Sequence, residues 1–438
     1  MGHLRSVKQS AGRFTFSLAV FGMSAVLATA LPGAARGEDA APAVSSSLDT
    51  TSAAGDGDAQ EPKRKLVKWN EYDGPITSLR LGYGLGIDYV GYSQDDEAKQ
   101  QFRLTPQLGL RDFRLLLKGK FKTKRPITWS VGYMYDGAEE EWHFRQTGIQ
   151  VEVPEVSGRF FVGRTKEGYS AVKVMTGYYI WNVERSQALD AFVPILGDGV
   201  KYMGYFKKPR IYVNLGFYGD AWSEDEKFAI YDHQFTPRLV WQPILSESGN
   251  RVLHLGVMGR DAKPDNDAIR VKSKPGAFHA PNFLDTGSIP ADKVTGEGIE
   301  AWYRSGPWMV GSEYNWEHVS ALNGDHPTFR GGNASVTWIP TGETRPYNVK
   351  GAYFDAVSPN KSVFEGGPGA VELILDMTFN DFDDGSDRGG KFWRLTPMAY
   401  WHMADVLHLG FAYGYSKLDR FGVKGTTQFF QFRFLTYY

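Results

Sequence analysis

The sequence contains no cysteine in 438 residues. Disulfide frameworks, cysteine-ligated zinc or iron–sulfur centres and thiol nucleophiles are therefore excluded. An excess of one charge is also missing, since 49 Lys and Arg stand against 50 Asp and Glu, and no nucleic-acid partner is expected. The nine histidines include no HExxH pair, and there is no G-x-S-x-G elbow. No metal and no cofactor is expected. His254, His318 and His408 stand singly and make no nucleophile–base constellation, so the chain is not read as an enzyme. No long apolar run follows residue 31, which excludes a bundle of spanning helices. A membrane β-barrel survives that test, because only one of its two faces is apolar.

What is present begins with an export signal. Arg5, Lys8 and Arg13 precede the apolar stretch Phe14 to Leu31, which ends near Ala28-Thr29-Ala30, a small-x-small cleavage pattern. Residues 1–30 are read as a signal peptide, the alternative being a single membrane anchor. Loss of those three basic residues takes the formal net charge from −1 to −4. Residues 31–74, rich in Ala, Ser, Gly and Asp, are read as a disordered spacer.

The stretch LRLGYGLGIDYVGY, residues 79–92, carries three glycines that invite a nucleotide-loop reading. A dinucleotide fingerprint needs a helix after its glycines, and none follows here. Leu79, Leu81, Tyr83, Leu85, Ile87 and Tyr89 hold the odd positions, while Arg80, Gly82, Gly84, Gly86 and Asp88 hold the even ones. The period is two, so the glycines lie inside a strand. A strand face thinned by glycine suits the close approach of another backbone or a packed loop.

The same alternation recurs to the end of the chain. Ile127, Trp129, Val131, Tyr133 and Tyr135 form one apolar set; Ile211, Val213, Leu215, Phe217 and Ala221 form another. Val371 to Phe379 and Leu407 to Tyr415 repeat it. About sixteen such runs of near ten residues can be traced. Their regular side is Leu, Val, Tyr, Phe and Trp, the inverse of a sheet that faces water around a dry core. Aromatics gather at the ends of runs, as interfacial girdles require. Turn-rich segments separate some runs, among them NDFDDGSDRGG, while three residues at Lys207 to Pro209 join others. The closing TQFFQFRFLTYY sets Phe430, Phe432, Phe434 and Tyr438 on one face. These features predict residues 75–438 to be an all-β, transmembrane antiparallel barrel.

One long segment, TGETRPYNVKGAYFDAVSPNKSVFEGGPGAVELILDMTF, resembles the phosphate-selective porin O and P family through Thr341, Gly342, Glu343, Arg345, Tyr347, Phe354, Val357, Pro359, Gly369, Ala370, Glu372 and Leu373. FRLLLKGKF, from Phe113, resembles that family's basic early strand. The stretch from Gly163 to Phe206 resembles its constriction segment, with Glu184, Arg185 and Ser186 as the Glu-Arg-Ser triplet. The resemblance implies a sixteen-stranded outer-membrane porin of a Gram-negative bacterium. It further implies a homotrimer in contact with outer-membrane lipid, loops folded inward, and small anionic solutes such as phosphate or polyphosphate.

Alternation turns Arg80, Arg114, Lys118, Lys120, Arg210, Arg394 and Arg433 toward the pore, and the constriction segment adds Lys166, Lys173 and Arg185. These ten are the expected anion-selecting residues, because forked guanidinium donors match anionic oxygens. Acids Asp88, Glu313, Glu372 and Asp376 face the same way, which keeps open a general or carbohydrate diffusion porin without anion preference. A plugged barrel with a bulky, self-pairing interior and an outer-membrane hydrolase are the other classes considered. Asp381 to Asp387, DFDDGSD, lacks the later bidentate Glu of a calcium loop and is read as a solvated extracellular loop.

Overall fold

A computed structural model describes residues 70–222 and 230–438. Sixteen long antiparallel strands form the wall: β1 (Ser78–Gln94), β2 (Gln107–Phe121), β3 (Ile127–Asp136), β4 (Glu141–Val153), β5 (Gly158–Thr165), β6 (Gly197–Phe206), β7 (Ile211–Gly219) and β8 (Tyr231–Leu245) make the first half. β9 (Arg251–Pro264), β10 (Ile289–Ser305), β11 (Trp308–Ala321), β12 (Thr328–Trp338), β13 (Ala370–Asp384), β14 (Asp387–Ala404), β15 (Leu407–Arg420) and β16 (Val423–Tyr437) make the second. Each strand pairs with its sequence neighbours, and β16 pairs with β1 from Gly84↔Tyr437 to Gln94↔Thr427, so the sheet closes and has no free edge. The terminal Tyr438 donates its N–H to Tyr83 O at 2.8 Å, completing the seam.

Exposure is inverted relative to a water-soluble sheet. Leu215 is 40% and Phe411 51% exposed, whereas Asn214, on the opposite face, is 1% exposed and His254 0%. Apolar side chains out and polar side chains in is what hydrocarbon around the wall requires. Aromatic groups mark both rims: Tyr133 stacks on Trp142 at one, and Trp308 on Trp338 at the other.

At the end where β1 begins and β16 finishes, most connections are a few residues long. The exception is residues 339–369, between β12 and β13. At the opposite, loop end, β1 and β2 are joined by 95–106 with helix α1 (Asp96–Gln101), β5 and β6 by residues 166–196, and β9 and β10 by 265–288. The 166–196 segment carries α2 (Ala171–Val174) and α3 (Gln187–Phe192), and almost all of it is buried.

This segment bonds to the inner faces of β2, β10, β11 and β16, through Tyr178 to Asp112, Ala171 N to Glu300, Val172 N to Glu313 and Val183 O to Arg433. It therefore crosses the barrel interior. The 265–288 and 339–369 segments join it there, through a short ladder Lys272–Ser273 with Leu284–Asp285 and another, Tyr347–Asn348 with Tyr353–Phe354. The large apolar cluster of the protein sits inside the barrel, where Trp181 meets Trp302 and Phe354.

Several sequence expectations need correction. NDFDDGSDRGG, read as a turn-rich, solvated loop, is mostly strand, because β13 and β14 run on to a turn at Gly385–Ser386, with Asp384 paired to Asp387. Ala221 lies beyond the end of β7. Glu71–Asp73 already pairs with Ser78–Arg80, so ordered chain begins ahead of residue 75. The expected signal peptide and most of the expected spacer lie outside the described residues.

Candidate functional site

Glycine shapes the inner wall. Gly84 faces the interior, and a Cβ there would run into the Tyr178 ring; Gly414 leaves the space taken by the Arg394 guanidinium. The thin face anticipated in 79–92 is thus the place where the inward segment packs.

Around it lies a dense ionic cluster. A bulge between Gly86/Asp112 and Ile87/Leu110 adds one residue to β2, Arg111, so Arg111 and Asp112 both reach the interior. Arg111 Nε donates to Glu184 Oε1 at 2.9 Å and its Nη1 to Asp112 Oδ2 at 2.6 Å. Arg114 Nη2 donates to Asp112 Oδ2 at 2.7 Å. Across the seam, Arg433 Nε donates to Asp88 Oδ1 at 2.7 Å and its Nη2 reaches Glu184. Burial alone would raise the Glu184 carboxyl, but Arg111 and Arg433 outweigh it and hold Glu184 at about 2. The cluster pins the inward segment to the seam of the barrel.

Four other buried acids hold the rest. Glu300 takes Arg238 Nε at 2.7 Å and His254 Nε2 at 2.9 Å, together with Ala171 N–H at 2.7 Å. Glu313 accepts Val172 N–H at 3.1 Å. Glu167 of the inward segment bonds Arg260 and accepts from Gln234 Nε2 at 2.8 Å. Glu372 receives Arg345 of the 339–369 segment, whose Nη1 also donates to Tyr179 O at 2.8 Å and Asp355 O at 2.6 Å. Buried charges are tolerated because they are paired and hydrogen-bonded.

The ten residues expected to select anions are therefore distributed among different tasks. Arg114, Lys118 and Lys120 stand at alternate positions of β2, with Arg80 opposite Lys118, but Arg114 is taken by Asp112 and Arg80 stands 3.7 Å from Glu71. Arg433 belongs to the ionic cluster. Lys166 Nζ donates to Met175 O at 2.9 Å and Lys173 Nζ to Val193 O at 2.7 Å, both buried among carbonyl groups. Burial, and then the neighbouring Arg185, push the Lys173 ammonium well below its ordinary value. Arg210 is a correction: it sits in the exposed turn between β6 and β7 with φ 55° and donates to Pro243 O, outside the strand whose alternation was extrapolated to it.

Arg185 and Arg394 are brought together. Both line a cavity of about 20 Å³ with Asn182, Glu184, Gln187, Asp376 and Thr378, enough for a water or two. The sequence missed Arg111, which the bulge moves off its periodic position. It named Glu313 and Glu372 as inward acids without their role, and gave no signal for Arg238 and Arg260 as anchors.

Residues 79–428 match the family described as phosphate-selective porin O and P. The chain belongs to that family. An uncharacterised protein of Caulobacter vibrioides is 33% identical over 187 residues, 42% of this chain and 36% of the relative, so the alignment spans about a third of that protein. Solved structures agree in fold. The loop-L8 deletion mutant of the outer membrane protein OmpT of Vibrio cholerae matches with 14% identity and a TM-score of 0.53, covering 83% of this chain and 100% of that one. An anion-selective porin from Comamonas acidovorans gives 11% and 0.52 with 83% and 100% coverage, and the outer membrane channel DcaP of Acinetobacter baumannii 10% and 0.53 with 84% and 99%. This porin is an outer-membrane β-barrel of a Gram-negative bacterium, and its family and wall are those of a channel.

Proposed function

We propose that this porin admits small anions by passive diffusion and performs no catalysis. The observation that supports this most is the state of Arg394. Its Nη1 donates to Pro275 O at 2.7 Å and Gly276 O at 2.9 Å, and its Nη2 to Gln431 Oε1. The guanidinium lies 4.5 Å over the Phe429 ring. All these partners are neutral, whereas Arg114, Arg433, Arg345, Arg238 and Arg260 are each bonded to a carboxylate. Asp376, in the same cavity, is occupied by Ser335 and Asn333. A cation whose hydrogen-bond partners among the described residues are all neutral, beside a cavity of about 20 Å³ that Asp376 and Glu184 also line, attracts anions across distances that screening limits to about 8 Å.

Phosphate as the preferred solute rests on the family's description. Assembly as a homotrimer, a signal peptide over 1–30, a spacer behind it and contact with outer-membrane lipid belong to the same proposal. The second reading, a general diffusion porin, is favoured by the pairing itself, since so many inward arginines are already neutralised. Zero-current potential in a potassium chloride gradient decides between them: anion preference supports the first reading, and cation preference or none supports the second.

A further inference from the structure

The turn between β3 and β4, at the loop end of the wall, is an acidic run: Asp136, Glu139, Glu140 and Glu141 fall within DGAEEE. Asp136 fixes its shape. Its Oδ1 accepts the N–H of Ala138 at 2.9 Å and of Glu139 at 3.1 Å, and its carbonyl oxygen accepts the N–H of Glu140 at 2.8 Å. The reversal brings Glu139 back beside the first residues of β4.

On β4, Trp142 and Phe144 face outward, 43% and 54% exposed, and His143 between them turns to the inner face, paired across the ladder with Met134. Alternation puts Glu141 on the face of His143. His143 Nε2 lies 3.3 Å from Glu139 Oε2 and 4.0 Å from Glu141 Oε2, and one donor atom from each of the three residues lies within 4.8 Å of the other two. The imidazole is only 8% exposed, so its surroundings hold it, whereas the carboxylates are open to solvent at 36% and 55% and can adjust. Glu184, Glu300 and Glu372 deeper in the barrel each bond an arginine; here two acids converge on an imidazole.

A protonated imidazole answers this arrangement poorly. Nε2 carries one N–H, which is directed at one carboxylate, and a single positive charge leaves the two acids net negative. A divalent ion neutralises both and takes the imidazole lone pair. Zinc, bound to histidine nitrogen and carboxylate oxygen at about 2.0–2.2 Å, sets the donor atoms of a tetrahedron about 3.4 Å apart. The separation of His143 and Glu139 is already close to that, and Glu141 has only to close by about 0.6 Å, which an exposed side chain does by rotation. One nitrogen with two oxygens is a borderline set, suited to zinc and its neighbours and poorly to calcium or magnesium, which take all-oxygen shells. We propose that Glu139, Glu141 and His143 bind a zinc-class divalent cation at the loop-end rim, with water completing its shell. The ion ties the turn to the inner wall and places positive charge at the mouth of the barrel. Histidine spacing gives no warning of it, because Glu-x-Glu-x-His gathers on one side only along a strand and its turn. The inference is independent of which solutes pass.

The test is calorimetric titration of the intact, detergent-solubilised protein with zinc chloride. Zinc uptake is expected, with affinity about tenfold or more lower in His143→Ala and in Glu139→Gln with Glu141→Gln. It is unchanged in Glu140→Gln, which shares the turn but not the donor set, and in His233→Ala, an exposed histidine beside Asp232. Calcium in large excess leaves the zinc bound. X-ray absorption at the zinc edge shows one imidazole, with oxygen for the remaining donors, at about 2.0–2.2 Å. A heat-modifiable band on gels confirms assembly of each variant. Absence of zinc uptake, undiminished affinity in assembled His143→Ala, displacement by calcium, or a shell without imidazole overturns the inference.

Discussion

Gly84 and Tyr178 occupy one volume, the glycine on the inner face of β1 and the tyrosine on the segment that crosses the barrel. Tyr178 in turn donates its hydroxyl to Asp112, which holds Arg111 and Arg114, and its ring carries the Arg114 guanidinium at 4.2 Å. A missing methyl group on the wall thus decides where a loop, a carboxylate and two arginines sit. Gly84→Ala should still assemble, because strand pairing is untouched, yet overpacking of about 1 to 3 kcal/mol is relieved by moving Tyr178. Single-channel conductance should shift while the heat-modifiable band persists. An unchanged conductance would mean that Tyr178 yields without moving the segment.

The orientation of the wall gives a second prediction. Arg introduced at Leu215 or Leu409, on the apolar outer face, should cost about 2 to 4 kcal/mol near mid-bilayer and lower the yield of assembled barrel. Arg at the adjacent inner Asn214, or at Gly410 behind Tyr400, should alter conductance instead. Urea-dependent unfolding in lipid vesicles measures the difference, and equal losses on both faces would contradict a lipid-facing exterior.

Acid dependence should appear in the 339–369 segment. Burial raises the Asp355 carboxyl to about 6, although the Ala356 N–H and Arg345 both oppose the rise. A raised carboxyl favours the folded segment while protonated. That contribution is complete below about pH 4, the unfolded value, and is lost as pH rises through about 6. Protection of the amides of residues 347–357, with the intrinsic exchange rate at each pH divided out, should therefore be greater at pH 5 than at pH 7.5, and Asp355→Asn should flatten the difference. A segment better protected at pH 7.5 than at pH 5, after the same correction, would reverse the sign and refute the argument.

Much of this was legible in the sequence because a barrel wall obeys a period of two, and period survives without knowledge of any partner. Leu81, Leu215, Leu375 and Phe411 fall outward and Asp88, Asn214, Asp376 and Arg433 inward as alternation requires. The interior was less legible, since it depends on which side chains meet across the lumen. Arg111 needed a bulge, Arg210 a turn with positive φ, and Lys166 and Lys173 a segment folded so tightly that its cations serve its own carbonyls. Glu300, Arg238 and Arg345 were visible as residues, but nothing in their spacing told that they anchor inward segments.

That difference reorders the residues expected to set selectivity. Arg114 is bonded to Asp112 at 2.7 Å, and Arg433 bridges Asp88 and Glu184, so each contributes a dipole more than a net charge. Lys118 and Lys120 lie toward the terminal end of β2, away from the cavity, and Lys120 is exposed. Arg394 keeps neutral partners, and Arg185 donates to Val172 O at 3.1 Å and to Met175 O beside the same cavity. A charge at a narrow, partly desolvated point acts more strongly on a passing ion than one that water screens. Arg394→Gln, alone or with Arg185→Gln, is expected to abolish most of the anion preference in zero-current measurements. Replacing Arg114, Lys118 and Lys120 together by Gln should lower it less, and loss of Arg114 in that set leaves Asp112 with Arg111 as its one bonded cation among the described residues, which deepens the effect beyond the two lysines alone. Measuring Lys118→Gln with Lys120→Gln separately removes that complication. If this pair alone abolishes anion preference while Arg394→Gln leaves it intact, selection lies on the β2 column rather than at the cavity.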